Sequence, residues 1–533
     1  MSAKRIAVFC ILILALAASS ACGPAATTAV STAAPATRAP YVYEAPAAAA
    51  TQAPVALAPQ PAATSALTGL QPPNNQTYDY TFFQDYGVNP RIDTEDDNLS
   101  TFALDVDTAS YTVMRSYVNN GLLPPQDSVR VEEYVNYFEQ GYAYPPEGQA
   151  FGIYIDGGPS PFEENENYRI MRVGIQGYAV PAAERKDVSL TFVIDVSGSM
   201  QMDNRLELVK RSLEVLVEQL RRTDTVSIVV YGTTAHVVLE PTPGDRTKMI
   251  MDAIDSLHPE GVTNAEAGLR LGYQMAYEAF NPAGINRVIL CSDGVANVGQ
   301  TGAGSIWEEI QQYAGQQITL TTVGFGMDNY NDVLMEQLAD NGNGFYAYVD
   351  NIEEARRLFL ENLTSTLQVI AMDARVQVDF NPEVVSRYRL VGFENRAIAD
   401  EDFRNDEVDA GEVGAGHSVT ALYEVKLNPG ANGKIATVYL RWKNPDSLDT
   451  MEASKSFYSD QMAPDFDETD PYFQWSVIVA QYAEILRDSY WAQGSTLGAV
   501  QREAERVNRW LLEDPDVTEL VNLIQKANRL AGE

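Results

Sequence analysis

The stretch FVIDVSGSM, residues 192–200, decides the fold. An apolar run ends in Asp195, and Ser197 and Ser199 follow at alternate positions. A buried strand has no packing use for a carboxylate and two hydroxyls. Their place is where the strand has just left the core, and there they can meet a ligand.

Working outward, the same pattern repeats. The apolar runs VSLTFVI, TVSIVVY, RVILC, ITLTTVG and FYAYV alternate with helical segments between residues 188 and 370. In one of these, RLELVKRSLEVLVEQL, Leu206, Val209, Leu213, Leu216 and Leu220 recur at helical spacing. Strands alternating with helices predict an α/β fold with a doubly wound, mostly parallel, Rossmann-like sheet covered on both faces. Ligands of such sheets bind outside the carboxyl ends of the strands, near the topological switch point. CSDG puts Asp293 at one of those ends, and EGVTNAEAGL puts Thr263 in a loop before a helix. A shared crevice would hold Asp195, Ser197, Ser199, Thr263 and Asp293. Two ionised carboxylates close together in a partly dry cleft repel each other, and a dication removes the conflict. Carboxylate, hydroxyl and water ligands are hard oxygens, which select Mg²⁺, Mn²⁺ or Ca²⁺ over zinc. A serine-rich turn capping a helix would account for Ser197 or Ser199, but not for Thr263 and Asp293.

At these residues the sequence resembles the von Willebrand factor type A (VWA) domain. Its metal-ion-dependent adhesion site is written D-x-S-x-S, then Thr, then Asp, and every position of it is present here. The resemblance implies that Ser197, Ser199 and Thr263 ligate a divalent cation directly, Mg²⁺ first among the candidates. It implies that Asp195 and Asp293 act directly or through water. It also implies one open coordination position for an acidic side chain of a partner protein. On either side, LDVDTASYTVMRSYVNNGLLPPQDSVRVEEYVNYF and GFENRAIADEDFRNDEVDAGEVGAGHSVTALYEV resemble the N- and C-terminal modules of YfbK-like bacterial lipoproteins. That similarity extends over nearly everything after Asn98.

The first residues, MSAKRIAVFCILILALAASSAC, have a basic start, an apolar stretch and small residues leading to Cys22. They read as a secretory signal over residues 1–21, too short for a membrane span. The end resembles a bacterial lipobox, with Ser19 where that family usually has Leu, and implies acylation at Cys22. Residues 22–77 are Ala, Pro, Thr and Ser with almost no charge, an extended tether spanning roughly 40 Å as a random coil. The expected location is outside the cytoplasm, lipid-anchored to a bacterial membrane. With Cys10 in the signal and Cys22 acylated, Cys291 is left without a disulfide partner. It ends the run RVILC, as a buried core thiol would.

The remaining organisation follows from pattern. Residues 78–187 read as an N-terminal α+β module. Residues 371–460 alternate as antiparallel strands expected to pack with that module, making the α/β unit an insertion in a β domain. Residues 461–533 read as helical. A net charge of −36 should repel nucleic acid and anionic lipid and suits cations or basic partners, and solubility alone is the plainer account of it.

Enzyme readings fare poorly. DVDTA, residues 105–109, lacks the closing Thr of a phosphatase nucleophile loop, and Asp107 or Thr108 as a helix N-cap is the plainer account. VSGSM is not a nucleophile elbow, and His236, His258 and His417 have no triad context. GFGMDN is not a dinucleotide loop. The sequence therefore predicts no enzyme. Two classes stay open: a metal-dependent protein-binding module at the envelope, and a structural or assembly factor whose ion only stabilises the fold.

Overall fold

The structure is a computed structural model that describes residues 81–104, 107–163, 165, 167–294, 303–326, 330–361, 367–406, 408, 410–512 and 514–532. The signal segment, the tether and Cys22 lie outside the described residues.

The N-terminal flank supplies β1 (Ile92–Asp93), β2 (Leu99–Ala103), helices α1 (Ala109–Asn119) and α2 (Val131–Asn136), then β3 (Phe151–Gly158) and β4 (Tyr168–Gly177). The central unit follows with β5 (Val188–Asp195), α3 (Arg205–Val217), β6 (Thr225–Tyr231), β7 (Ala235–Pro243), α4 (Thr247–Asp255), α5 (Ala265–Glu278), β8 (Ile285–Ser292), α6 (Ala303–Ala314), β9 (Ile318–Gly324), α7 (Asp332–Asn341), β10 (Tyr346–Tyr348) and α8 (Ile352–Arg356). The C-terminal flank carries β11 (Val369–Phe380), β12 (Val385–Val391), β13 (Gly411–Gly414), β14 (Ser418–Leu427), β15 (Lys434–Lys443) and β16 (Thr450–Tyr458). Helices Pro471–Leu486, Leu497–Asn508 and Pro515–Ala531 close the chain. Among the described residues no helix is long and apolar enough to cross a membrane.

The central sheet has six strands in the order β10-β9-β8-β5-β6-β7, parallel except for the antiparallel edge strand β7. From β5 the chain goes first to β6 and β7 on one side, then to β8 on the other. The switch point therefore lies between β5 and β8, whose ends carry Asp195 and Asp293. Burial on both faces explains the continuous apolar runs. Leu190, Phe192 and Ile194 of β5 share a core with Leu206, Val209 and Leu213 of α3. Val193 faces the opposite layer with Leu269 and Tyr273 of α5. Gly272 lets α5 lie unusually close: a Cβ there would stand 2.2 Å from Val193 Cγ2. That approach brings the loop at the helix's N-terminus, which carries Thr263, to the carboxyl edge of the sheet.

The flanks interleave. One antiparallel sheet runs β1-β12-β14-β4-β3, and a second runs β13-β11-β15-β16 with β2 paired to β11. Strands from before and after the central unit thus hydrogen-bond to one another, as in Val173 opposite Ala421. The antiparallel flanking strands divide between these two sheets. Val173 and Tyr423 of one share a buried core with Val376 and Leu440 of the other. The outer side of the first sheet is covered by helices, where Leu422 meets Tyr134 and Ile478. The central unit enters and leaves at one place, Lys186 N donating to Gln368 Oε1 at 3.2 Å.

Buried ion pairs join the central unit to the flanks. Arg115 of α1 binds Asp350 at 2.6 Å, Glu354 of α8 at 2.8 Å and Glu519 of the last helix at 3.1 Å. Arg130 reaches Asp332 of α7 at 2.6 Å. Arg396 of the C-terminal flank binds Glu336 of α7 at 2.6 Å and also holds Asp107 of the N-terminal flank at 3.2 Å. Thr108 occupies the N-cap position of α1 without a side-chain cap bond. Cys291 is buried, and burial pushes its thiol far above the ordinary range.

Candidate metal centre

Asp195 is the last residue of β5 and fully buried. The chain then turns sharply. Ser197 N donates to Asp195 Oδ1 at 2.8 Å, and Val196 N to Tyr231 O at 2.9 Å. The turn places the Ser197 and Ser199 hydroxyls 3.0 Å apart. In the sheet register Ile194 pairs with Cys291, which sets Asp195 level with Ser292. Ser292 Oγ donates to Asp195 Oδ2 at 3.0 Å, and Asp293 follows at once, 4% exposed.

The loop bearing Thr263 is tied to the serine turn through its backbone. Gly198 N donates to Gly261 O at 3.2 Å, and Glu260 N to Val196 O. Thr263 itself is half-buried, and Asn264 caps α5 by accepting from Ala267 N at 3.2 Å. The structure thus brings Asp195, Ser197, Ser199 and Asp293 together and docks the Thr263 loop against them.

Two residues escape the motif reading. Ser292 anchors Asp195, and only strand register could have revealed it. Arg205 Nη1 donates to Asp293 Oδ2 at 2.8 Å with its side chain only 2% exposed. The sequence signal for Arg205 is a cation at the first position of α3, against the helix dipole, which calls for a nearby acid.

The electrostatics suit a cation. Burial, then the charge of Asp293, pushes Asp195 up to about 6, while Ser197 and Ser292 oppose the rise. Burial also raises Asp293, against the pull of Ser199 and Arg205. Two buried carboxylates with hydroxyls on hand form a hard-oxygen donor set, which fits a small divalent cation. Among the described residues no group of three or more His, Cys, Asp or Glu is placed to hold a metal, so a site here must draw on hydroxyl oxygens.

Residues 189–365 match the family model described as von Willebrand factor type A domain, and residues 77–172 match one described as von Willebrand factor. Residues 365–530 match "Uncharacterized protein YfbK, C-terminal". Protein YfbK of Escherichia coli (strain K12) is 34% identical over 474 residues, covering 84% of this chain and 81% of that protein. The chain belongs to the YfbK family. This YfbK-family chain is also 27% identical over 215 residues to inter-alpha-trypsin inhibitor heavy chain H3 of Homo sapiens, across 39% of the chain and 22% of that protein. A solved von Willebrand factor type A protein from Catenulispora acidiphila covers 70% of this chain and 89% of its own, with 16% identity and a TM-score of 0.42. A VWA domain places this YfbK-family chain, in general terms, among proteins of protein–protein interaction or adhesion. VWA domains often bind divalent metals.

Asp195 must lose its proton to hold a cation, so divalent affinity should rise with pH through about 6. In the metal-free protein the sign is opposite. The raised carboxyl contributes stability that is present below its ordinary value of 3.8 and lost as pH rises through about 6. Added Mg²⁺ should therefore raise the melting temperature more at about pH 7.5 than at about pH 5. Calorimetric melting with and without the ion checks this, and an equal gain at both values would contradict it.

Proposed function

We propose that this chain is an envelope-anchored lipoprotein whose VWA domain holds a divalent cation and uses it to capture a partner protein. The observation that carries the reading is the pair of buried carboxylates, Asp195 and Asp293, at adjacent strand ends on the switch point with serine hydroxyls between them. Asp195, Ser197, Ser199, Thr263 and Asp293 would hold the ion, with Mg²⁺ first and Mn²⁺ or Ca²⁺ as other candidates. An ion held there offers a coordination position to a carboxylate oxygen of the partner. The chain's own residues orient the hydroxyls and keep the carboxylates dry. This is binding chemistry and not catalysis.

The rival role, an ion that only stabilises the fold, is less well supported. Arg205 already neutralises Asp293, so the buried pair of carboxylates has a counter-charge of its own. The test is capture of partner proteins from envelope extract by the full chain, with and without EDTA, alongside a melting curve. Capture that needs metal while the fold persists without it supports binding. Capture undiminished in excess EDTA contradicts it.

The anchor is proposed from Cys22 and the Ala/Pro tether. One acyl chain binds a membrane marginally and two or more bind stably, so Cys22→Ser should move nearly all of the protein from the membrane to the soluble fraction. Fractionation and immunoblotting measure this, and continued sedimentation of the variant with membranes would exclude the anchor.

A further inference from the structure

The metal-centre reading leaves Arg205 unexplained. Its guanidinium is buried against Asp293, 2.8 Å from Oδ2, and the largely exposed Asp203 lies 3.8 Å away. Two left-handed residues, Asp203 at φ 48° and Asn204 at φ 56°, immediately precede it. Such conformations cost free energy outside glycine and persist where the surroundings demand them. The guanidinium also rests against Gly326, just beyond β9, where a Cβ would stand 2.2 Å from Arg205 Nε. The backbone on both sides is thus shaped around this cation. A positive charge at the start of α3 opposes the helix dipole, so the helix is not its reason.

Charge arithmetic gives the reason. Asp195, Asp293 and Arg205 sum to −1 without a metal and to +1 with a dication. Without the arginine the loaded site would be neutral. We propose that Arg205 is a resident cation of the metal centre: it holds Asp293 in place when no metal is bound and competes with the metal when one arrives. Resting on the metal-centre reading, the proposal makes this a site tuned towards weaker ion affinity. A guanidinium standing beside the bound ion then favours an anionic group on the partner over a neutral one.

The experiment titrates Mn²⁺ into the purified full chain by calorimetry and compares wild type with Arg205→Met, Arg205→Gln and Arg205→Lys. A second arm in EDTA measures melting for Arg205→Met, Asp293→Asn and the double variant. Arg205→Met and Arg205→Gln should bind Mn²⁺ at least about tenfold more tightly, with Arg205→Lys within about threefold of wild type. In EDTA the single variants should each melt lower than wild type, and the double variant should lose less than their sum. Arg205→Met and Arg205→Gln binding no more tightly than wild type would overturn the competition while leaving the metal centre standing. Additive losses in EDTA would overturn the holding role. Absence of Mn²⁺ binding in wild type and all variants would sink the metal centre and the competition with it, while the EDTA arm still reads the Arg205–Asp293 pairing. If Arg205→Met fails to fold in EDTA, Arg205→Gln and Arg205→Lys carry both arms.

Discussion

Asp195→Ala and Asp293→Ala should each weaken Mg²⁺ or Mn²⁺ binding by more than about a hundredfold, since loss of even an outer partner of a metal ligand costs 10- to 100-fold. Their effects on the metal-free protein should diverge. Asp195 is buried beside Asp293, and burial raises its pKa. Removing it relieves a strained charge, so Asp195→Ala should melt at or above the wild-type temperature in EDTA. Asp293 is the ion-pair partner of Arg205. Its removal leaves a buried guanidinium without that carboxylate, and Asp293→Ala should melt lower. Thr263→Ala should weaken the ion less than either, because a neutral hydroxyl contributes less than a charge. Calorimetric titration and EDTA melting curves test all three variants. Unchanged ion affinity in Asp195→Ala would show that the cation, if bound, sits elsewhere.

Arg115→Met should be the most damaging single change in the framework, at about 3–5 kcal/mol. Arg115 donates to both Asp350 oxygens, at 2.9 and 2.6 Å, and to Glu354 at 2.8 Å and Tyr137 at 2.8 Å. Methionine keeps much of the volume and leaves Asp350 and Glu354 buried without that charge. Burial already pushes Asp350 up. Because these partners belong to the central unit and Arg115 to the flank, the expected signature is a melting curve that separates into two transitions. A single transition shifted by less than about 1 kcal/mol would mean that the apolar contacts, and not this cluster, couple the units.

The sequence made the central unit legible because its signals are local. Apolar runs ending in Asp195 and Cys291, and helices with their spaced leucines, report burial residue by residue. The candidate site residues were legible for the same reason, each standing at a strand end or before a helix. What the sequence hid depends on distant partners. Nothing near Arg205 announces Asp293, and nothing near Ser292 announces Asp195, since parallel register joins them. The division of the flanking strands into two sheets was equally hidden: alternation shows that β4 and β11 each have a buried face, but not that those faces meet. Asp107 looked like a helix cap because its true partner, Arg396, lies far along the chain.

The meeting of Lys186 with Gln368 bears on the order in which the chain assembles. Bringing those two points together in an unfolded chain closes a loop of about 180 residues, an entropic cost of about 4–5 kcal/mol. The central unit has its strands and crossover helices close together in sequence, so it can condense without waiting for the flanks. Once condensed, it holds the end of β4 near the start of β11, each in its own sheet, and the long loop is already closed. A nascent chain emerging from its amino end can pair β4 with β3 but must leave its other edge open until β14 arrives. Variants that slow the insert should therefore delay closure of the flanking sheets, although none of the changed residues lies in them.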